Sequence, residues 1–343
     1  MRPGVTYFGP DWMHTGGASL WRRDFADLNA RGIDTICLIN RHNEWFDLNN
    51  NLRPIAGTVH DLIEIAAEYG IECHVNIHTY YTGTSMGAGI PNLRDLFIST
   101  IYRNRWLQGV TKWAEHFDDV AAGLQVFNEP VGASWGINIP ADQFNILFND
   151  TYIAAHAGSS LPVSCRYGIA AADNYYGPDV YRWDYLCLNC YLDQYAGHSQ
   201  SDLRRYMSKA TGPVMITEYG VNKADSQVQA DTYKGKLPIF EAQGVDSLMG
   251  WWYSGGSGPD GAASSNAGYQ LRNRTALDVL SGYYVPPVTP PVEPPVEPPV
   301  EPPVTPPPPG PPTEFDEAIK VFRNSALFMA AISVMKEELD KNK

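Results

Sequence analysis

The sequence lacks the features that mark membrane-spanning and nucleic-acid-binding proteins. Lys and Arg number 25 against 38 Asp and Glu, which gives a net charge of −13. There is therefore no basic excess to meet nucleic acid or an anionic membrane surface. No run of about 18 apolar residues, the minimum for a transmembrane helix, is present. These absences favour a globular protein with a neutral or cationic ligand.

Cysteine is scarce, and its spacing matches no zinc site. The five cysteines are Cys37, Cys73, Cys165, Cys187 and Cys190. All lie in strand-like runs, so we interpret them as small buried hydrophobic residues in a reducing compartment. No apolar leader precedes the first strand. We therefore expect a cytoplasmic protein, or one released or attached to a particle by a non-classical route, and the compartment itself stays open.

What the sequence does contain is an alternation of short apolar runs with helical patterns. The apolar runs span 5–8, 33–40, 71–78, 123–128, 162–166, 185–191, 214–218 and 247–253. The helical patterns span 19–31, 59–69, 104–117, 141–156, 203–209, 226–243 and 274–280. The runs are almost continuously apolar, as in strands that are covered on both faces. Residues 1–285 are therefore predicted to form an α/β protein, a (β/α)8 TIM barrel. A doubly wound open sheet is the alternative, but no glycine-rich phosphate turn follows the first run.

The composition changes after the predicted barrel. Residues 286–313 repeat Pro-Pro-Val-Glu and predict an extended, solvated linker that cannot pack a core. Residues 314–343 have the pattern of one amphipathic helix. A single helix cannot bury its apolar stripe alone, so we expect homo-oligomerisation or partner docking through residues 314–341.

Two of the apolar runs end in a glutamate. Residues 124–130 close on Asn128, Glu129 and Pro130, and residues 213–220 carry Glu218 at the end of their run. Catalytic groups of such barrels lie at the carboxyl ends of the strands, so the two carboxylates should meet. A protonated carboxyl group paired with an ionised one is what glycoside hydrolysis needs. The 9 Trp and 20 Tyr residues also suit a ligand with flat apolar faces, such as a sugar.

This pattern resembles the retaining (β/α)8 glycoside hydrolases of clan A, most nearly glycoside hydrolase family 5 of the cellulase and β-mannanase type, over about residues 5–282. The resemblance implies cleavage of β-glycosidic bonds in a polysaccharide or oligosaccharide by double displacement, with endo action and no cofactor or metal. Glu129 would be the general acid/base and Glu218 the nucleophile. The implied substrate-binding residues are His78, Asn128, Tyr191 and Trp251. In the family pattern Asn128 holds the sugar 2-hydroxyl, Tyr191 orients the nucleophile, and Trp251 is the sugar platform.

The chain departs from the family pattern at two positions. The family usually has an arginine within strand two, where this chain has Cys37, and Arg41 or His42 are candidates to replace it. Strand six usually has a histidine two residues before its tyrosine, where this chain has Asn189. These departures question the exact family more than the chemistry.

Other interpretations stay open. The barrel could be a non-catalytic carbohydrate-binding or structural module displayed on a stalk, and the missing arginine favours that view. A metal-dependent hydrolase is less favoured, because the His, Asp and Glu residues have no ligand spacing. Aromatic residues in the loops after strands are candidates for sugar stacking: Tyr80, Tyr81, Trp135, Tyr176 and Tyr195.

Overall fold

The computed structural model describes most of the residues before the linker. The described residues are 1–8, 17–78, 86, 88–130, 141–169, 183–195, 197–223, 225–251, 253, 269 and 271–282. The chain divides into two units, Met1–Val288 and Thr289–Lys343. The second unit lies outside the described residues, so the linker and the terminal helix remain predictions.

Eight parallel strands form a closed barrel in the order β1 to β8. The strands are β1 Arg2–Phe8, β2 Thr35–Arg41, β3 Glu72–His78, β4 Gly123–Val126, β5 Val163–Gly168, β6 Leu186–Asn189, β7 Val214–Tyr219 and β8 Ser247–Gly250. β1 pairs with both β2 and β8, which closes the sheet. The predicted barrel is confirmed, and the open doubly wound sheet is excluded.

Helices follow most of the strands. Within the described residues they are α1 Gly17–Ala30, α2 His42–Trp45, α3 Ile55–Glu68, α4 Asp95–Ile98, α5 Thr100–Phe117, α6 Ala141–Gly158, α7 Gln200–Met207, α8 Ser226–Ala242 and α9 Thr275–Gly282. The short α2 and α4 were not predicted, because one helical turn leaves no periodic pattern to detect. None of the described helices is both long and apolar enough to cross a bilayer.

Glycine follows two of the longer helices. Gly70 follows α3 with φ of 69°, and Gly244 follows α8 with φ of 79°. Side chains other than glycine are strained in this left-handed region, so glycine turns the chain into the next strand at the lowest cost. These turns fix where β3 and β8 begin, and thus where they end at the other mouth of the barrel.

The barrel has an apolar outer layer and a mixed interior. Side chains between the strands and helices form one large core that includes Trp106, Trp113 and Phe127. Inside the barrel a smaller cluster comprises Cys37, Ile39, Tyr185, Cys187, Met215 and Met249. All five cysteines are free and buried, as predicted. Above the small cluster the interior becomes polar, and this polar layer contains the candidate site.

Candidate active site

Glu129 stands on an unusual turn just after β4. Phe127 and Glu129 both have positive φ, at 60° and 46°. Such a conformation costs about 1–3 kcal/mol for each residue that is not glycine. Two contacts hold the turn. Asn76 Nδ2 on β3 donates to the backbone carbonyl of Phe127 at 2.8 Å, and the Phe127 ring stacks on Trp106 of α5 with centroids 5.0 Å apart. Strain that is held in this way is typical of functional sites.

The Glu129 carboxylate lies over β5 and β6. Its Oε1 accepts a hydrogen bond from Asn189 Nδ2 at 3.1 Å. Its backbone N–H donates to the Arg166 carbonyl at 2.9 Å. Gly168 leaves the space that the carboxylate occupies, since a Cβ at this position would meet Glu129 Oε1 at 3.2 Å. The acid is therefore fixed from three directions.

An irregularity in β7 directs Glu218 into the same interior. Ile216 pairs with Leu188 of β6, but the next residue, Asn189, pairs with Glu218, so β7 has one extra residue here. The register with β8 shifts over the same residues. Such a bulge re-aims side chains and is common beside active sites. As a result both Thr217 and Glu218 contact residues of the barrel interior, and Glu218 is only 5 % exposed.

Each carboxylate oxygen of Glu218 has its own donor. Arg166 Nη2 on β5 donates to Oε1 at 2.8 Å. The Tyr191 hydroxyl, two residues beyond β6, donates to Oε2 at 2.8 Å. The Arg166 side chain is completely buried, so this ion pair lies in a medium of low polarity where its effect on the carboxylate is large.

Asn189 connects the surroundings of the two carboxylates. Its Oδ1 accepts from Thr217 Oγ1 at 2.8 Å and from Arg166 Nη2 at 3.4 Å. Its Nδ2 donates to Asn128 Oδ1 at 3.2 Å as well as to Glu129. A hydroxyl and a guanidinium on one side and two acceptors on the other fix the orientation of the amide. Asn189, in place of the histidine of the family pattern, thus links Glu129 to the Glu218 ion pair.

Burial and charge act in opposite directions on the two acids. Burial raises the pKa of Glu218 to about 7, opposed by Arg166 and by hydrogen bonds from Tyr191 and Asn128, while Glu129 adds to the rise. Burial also raises the pKa of Glu129, opposed by Asn189 and by the more distant charge of Arg166. Two such acids titrate as a pair. Glu218 has an ion pair with Arg166 that favours its ionised form, whereas the side-chain donor to Glu129 is the neutral amide of Asn189.

The remaining predicted site residues also lie at the strand ends. His78 is the last residue of β3 and is buried, and Asn128 precedes Glu129. Trp251 follows β8, is partly buried, and packs against the apolar cluster inside the barrel. Tyr195 is 54 % exposed, and its hydroxyl is 3.0 Å from that of Tyr269. Four other aromatic candidates lie outside the described residues: Tyr80, Tyr81, Trp135 and Tyr176.

Sequence reasoning missed Arg166, whose guanidinium pairs with Glu218. His42, one of the two candidates for that place, packs on Phe46 and Trp106 instead. Burial lowers the pKa of His42 to about 4, so it has no charge at neutral pH. The side chain of the other candidate, Arg41, lies outside the described part of the chain. The one sequence signal for Arg166 is its place at the end of the apolar run 162–166, where a basic residue usually marks the end of a strand.

The described residues contain two other features that resemble binding sites. On α3, ligand atoms of His60, Asp61 and Glu64 lie within 4.8 Å of one another, but this partly exposed group is on a helix, apart from the strand ends. A cavity of about 720 Å³ lies at the opposite mouth of the barrel, where the strands begin. Its charged groups include Arg2 and Glu72, which pair with each other at 2.9 Å. Both features contain carboxylates, but neither lies at the carboxyl ends of the strands.

Comparison with known proteins gives a likeness in fold. No protein-family model matches the sequence, and no curated protein matches it. Many solved structures do match. A GH5_18 protein from Streptomyces cattleya, with a glutamate replaced by alanine and in complex with Manβ1-4GlcNAc, has a TM-score of 0.64 and 16 % identity, over 82 % of this chain and 80 % of that one.

Two further structures extend the likeness. The exo-β-1,4-mannosidase of Opitutaceae bacterium strain TAV5 has a TM-score of 0.64 and 15 % identity, over 82 % of this chain and 59 % of its own. A glycoside hydrolase family 5 enzyme from Prevotella bryantii has a TM-score of 0.59 and 15 % identity, over 83 % of this chain and 96 % of its own. The chain has the barrel fold of clan A glycoside hydrolases. At these identities the likeness establishes the fold alone.

Proposed function

We propose that the protein is a retaining glycoside hydrolase that cleaves β-glycosidic bonds of a polysaccharide or oligosaccharide, with Glu129 as general acid/base and Glu218 as nucleophile. One observation carries the proposal. A partly buried carboxylate after β4 and a buried one on β7 are connected through Asn189 and Arg166. Arg166 and Tyr191 favour the ionised form of Glu218, and on this basis we assign the proton to Glu129. An acid and a nucleophile are thereby distinguished.

The reaction follows from this division of charge. Ionised Glu218 attacks the anomeric carbon and forms a glycosyl ester, while Glu129 gives its proton to the departing glycosidic oxygen. Glu129, now ionised, takes a proton from a water molecule that attacks the same carbon, and Glu218 leaves as a carboxylate. Each step inverts the anomeric centre, so the product keeps the β configuration. Asn189, which donates to Glu129, stabilises the ionised form that exists between the two steps.

The sugar itself is a further part of the proposal. The names of the solved structures include a β-1,4-mannosidase, a β-1,4-mannanase and complexes with Manβ1-4GlcNAc. β-Mannosides are therefore the first substrates to test on this chain, and β-glucans are the second. We propose endo action, in keeping with the resemblance to cellulases and mannanases. A rapid fall in the viscosity of a polymer before much sugar is released would separate endo from exo cleavage.

The test is release of reducing ends from a panel of β-mannans, β-glucans and β-xylans, with the variant Glu218→Ala in parallel. We expect release by the native protein from at least one polymer and none by the variant. Binding of a glycan without release by either protein would contradict the proposal and favour the non-catalytic barrel. Full activity of Glu218→Ala would equally contradict the role of this residue.

A further inference from the structure

Resting on the proposed function, we propose that Arg166 on β5 is the positioning residue that places both carboxylates and assigns the ionised state to Glu218. Arg166 contacts both acids with different atoms. Its guanidinium donates to Glu218 Oε1 at 2.8 Å, and its backbone carbonyl accepts from the Glu129 N–H at 2.9 Å. One residue thus fixes the carboxylate of one acid and the main chain of the other. A shift of Arg166 would move the two acids relative to each other.

The guanidinium is held in place by more than Glu218. Arg166 Nη2 also donates to the Thr217 carbonyl at 3.1 Å and approaches Asn189 Oδ1 at 3.4 Å. The extra residue in β7 brings Thr217 and Glu218 to the same group, because both then face the interior. The bulge therefore brings the Thr217 carbonyl and the Glu218 carboxylate to the same place, and the Arg166 guanidinium donates hydrogen bonds to both.

Cys37 on β2 provides the space for this arrangement. Arg166 Nη1 lies 3.9 Å from Cys37 Sγ, and the thiol in turn donates to Gln125 Oε1 at 3.0 Å. Burial raises the pKa of Cys37 to about 11, so the thiol is neutral and does not compete with Glu218 for the charge of Arg166. A larger side chain at position 37 would occupy the volume that the guanidinium now fills.

Stability does not explain a buried arginine at this position. Removing two charges from water costs several kcal/mol each, and a buried ion pair is often no more stabilising than apolar residues of the same size. The Arg166 Nε, moreover, has no hydrogen-bond partner among the described residues. A charge kept inside the barrel at such a cost is explained by what it does to Glu218.

Several ionisable groups of the described residues face Glu218. From β5 comes Arg166, from the end of β4 comes Glu129, and from beyond β6 comes the hydroxyl of Tyr191. Tyr269 and Cys37 also interact with Glu218 among the described residues, and because burial raises the pKa of both, both are neutral at neutral pH. Arg166 is therefore the positive charge among these groups, and the ionised state of Glu218 depends on it.

The experiment is a titration that needs no substrate. The full chain is labelled with glutamate carrying ¹³C at the carboxyl carbon, and the Glu218 signal is assigned by its absence in Glu218→Gln. In Arg166→Met the pKa of Glu218 should rise by about 1 to 3, the usual effect of losing an adjacent arginine. The matched control is Arg272→Met, which removes another buried arginine, paired with Asp24 outside this site, and should leave the pKa of Glu218 unchanged.

The outcomes separate this proposal from the glycosidase proposal. A folded Arg166→Met protein in which Glu218 titrates as in the native chain would overturn the role of Arg166. Should this variant not fold, Arg166→Lys takes its place: a native pKa of Glu218 would support the proposal, and a rise as large as that expected for charge removal would overturn it. A shifted pKa together with an inactive native protein would support the role of Arg166 and contradict the glycosidase.

Discussion

Two buried carboxylates of this barrel are held by the same kinds of donor, and a catalytic role is proposed for only one of them. Glu218 accepts from Arg166 and Tyr191. Asp24 on α1 accepts from Arg272 and from Tyr7 at 2.9 Å. Both are almost fully buried, at 5 % and 2 % exposure. An arginine, a tyrosine and a carboxylate are thus a common way to stabilise a charge inside this fold.

The difference lies in what else surrounds each pair. Arg272 stacks on the Tyr253 ring at 4.7 Å, and Arg23 also reaches Asp24 at 3.4 Å, so positive groups surround Asp24. Glu218 instead has a second carboxylate near it, connected through Asn189 and Arg166. A lone buried pair joins elements of the fold. A pair beside a second acid at the strand ends can divide one proton between two groups, which is the requirement for acid and nucleophile.

The largest contrast is expected when each carboxylate is removed. Glu218→Ala should lower glycan hydrolysis by at least about 10⁴-fold, because the nucleophile is lost. Asp24→Asn should keep the activity of each folded molecule and lower the free energy of unfolding by about 3–5 kcal/mol, because it leaves the Arg272 charge unpaired. The measurements are initial rates and urea unfolding. Comparable activity losses in both variants would show that the two pairs do not differ in function.

Crowding the acid without changing its chemistry should have the next largest effect. In Gly168→Ala the new methyl group would press on the Glu129 carboxylate, which it would meet at 3.2 Å. We expect kcat to fall by about 10- to 100-fold, as for a displacement of an ångström or less. The control is Gly57→Ala on α3, where a Cβ meets nothing within 4 Å. This control should keep native kcat and gain up to about 1 kcal/mol of stability. Equal rates for both variants would contradict the placement of Glu129.

A smaller effect is expected at the link between the acids. Asn189→Ala removes the donor that favours ionised Glu129, so the pKa of Glu129 should rise further. The reaction requires protonated Glu129, so the alkaline limb of the pH profile of kcat/KM should move to higher pH. Full profiles of both proteins on one substrate test this. Movement of the limb to lower pH would mean that Asn189 does not act through Glu129.

The smallest expected effect is a dependence of the protein's stability on pH through the titration of Glu218. The pKa of Glu218 is about 7 in the fold against an ordinary value of 4.5, so folding favours its protonated form. That contribution is present below pH 4.5 and is lost as the pH rises through about 7. Between pH 5 and pH 8 the Tm of the native protein should therefore fall relative to that of Glu218→Gln. The exposed variant Glu115→Gln on α5 should follow the native protein. A constant Tm difference for Glu218→Gln would exclude a raised pKa.

The comparison also shows what the sequence can and cannot predict. Glu129 and Glu218 could be found because each ends an apolar run, and barrel topology brings such ends together. The role of Arg166 could not be found from the sequence, because a charged residue usually marks the end of a buried strand. Its partner Glu218 is also distant in sequence. The extra residue at Thr217 and Glu218, and the positive φ of Phe127, likewise leave no local pattern, since contacts with other strands impose them.

The most direct test of the central claim is covalent trapping. The full chain is incubated with 2-deoxy-2-fluoro β-mannosyl and β-glucosyl fluorides, which form the glycosyl ester quickly and release it slowly, and the digest is analysed by mass spectrometry. The account predicts one added sugar on the peptide that contains Glu218, and none in Glu218→Gln. A sugar attached to another residue, or hydrolysis of a natural β-glycan that first releases the α-anomer, would contradict it.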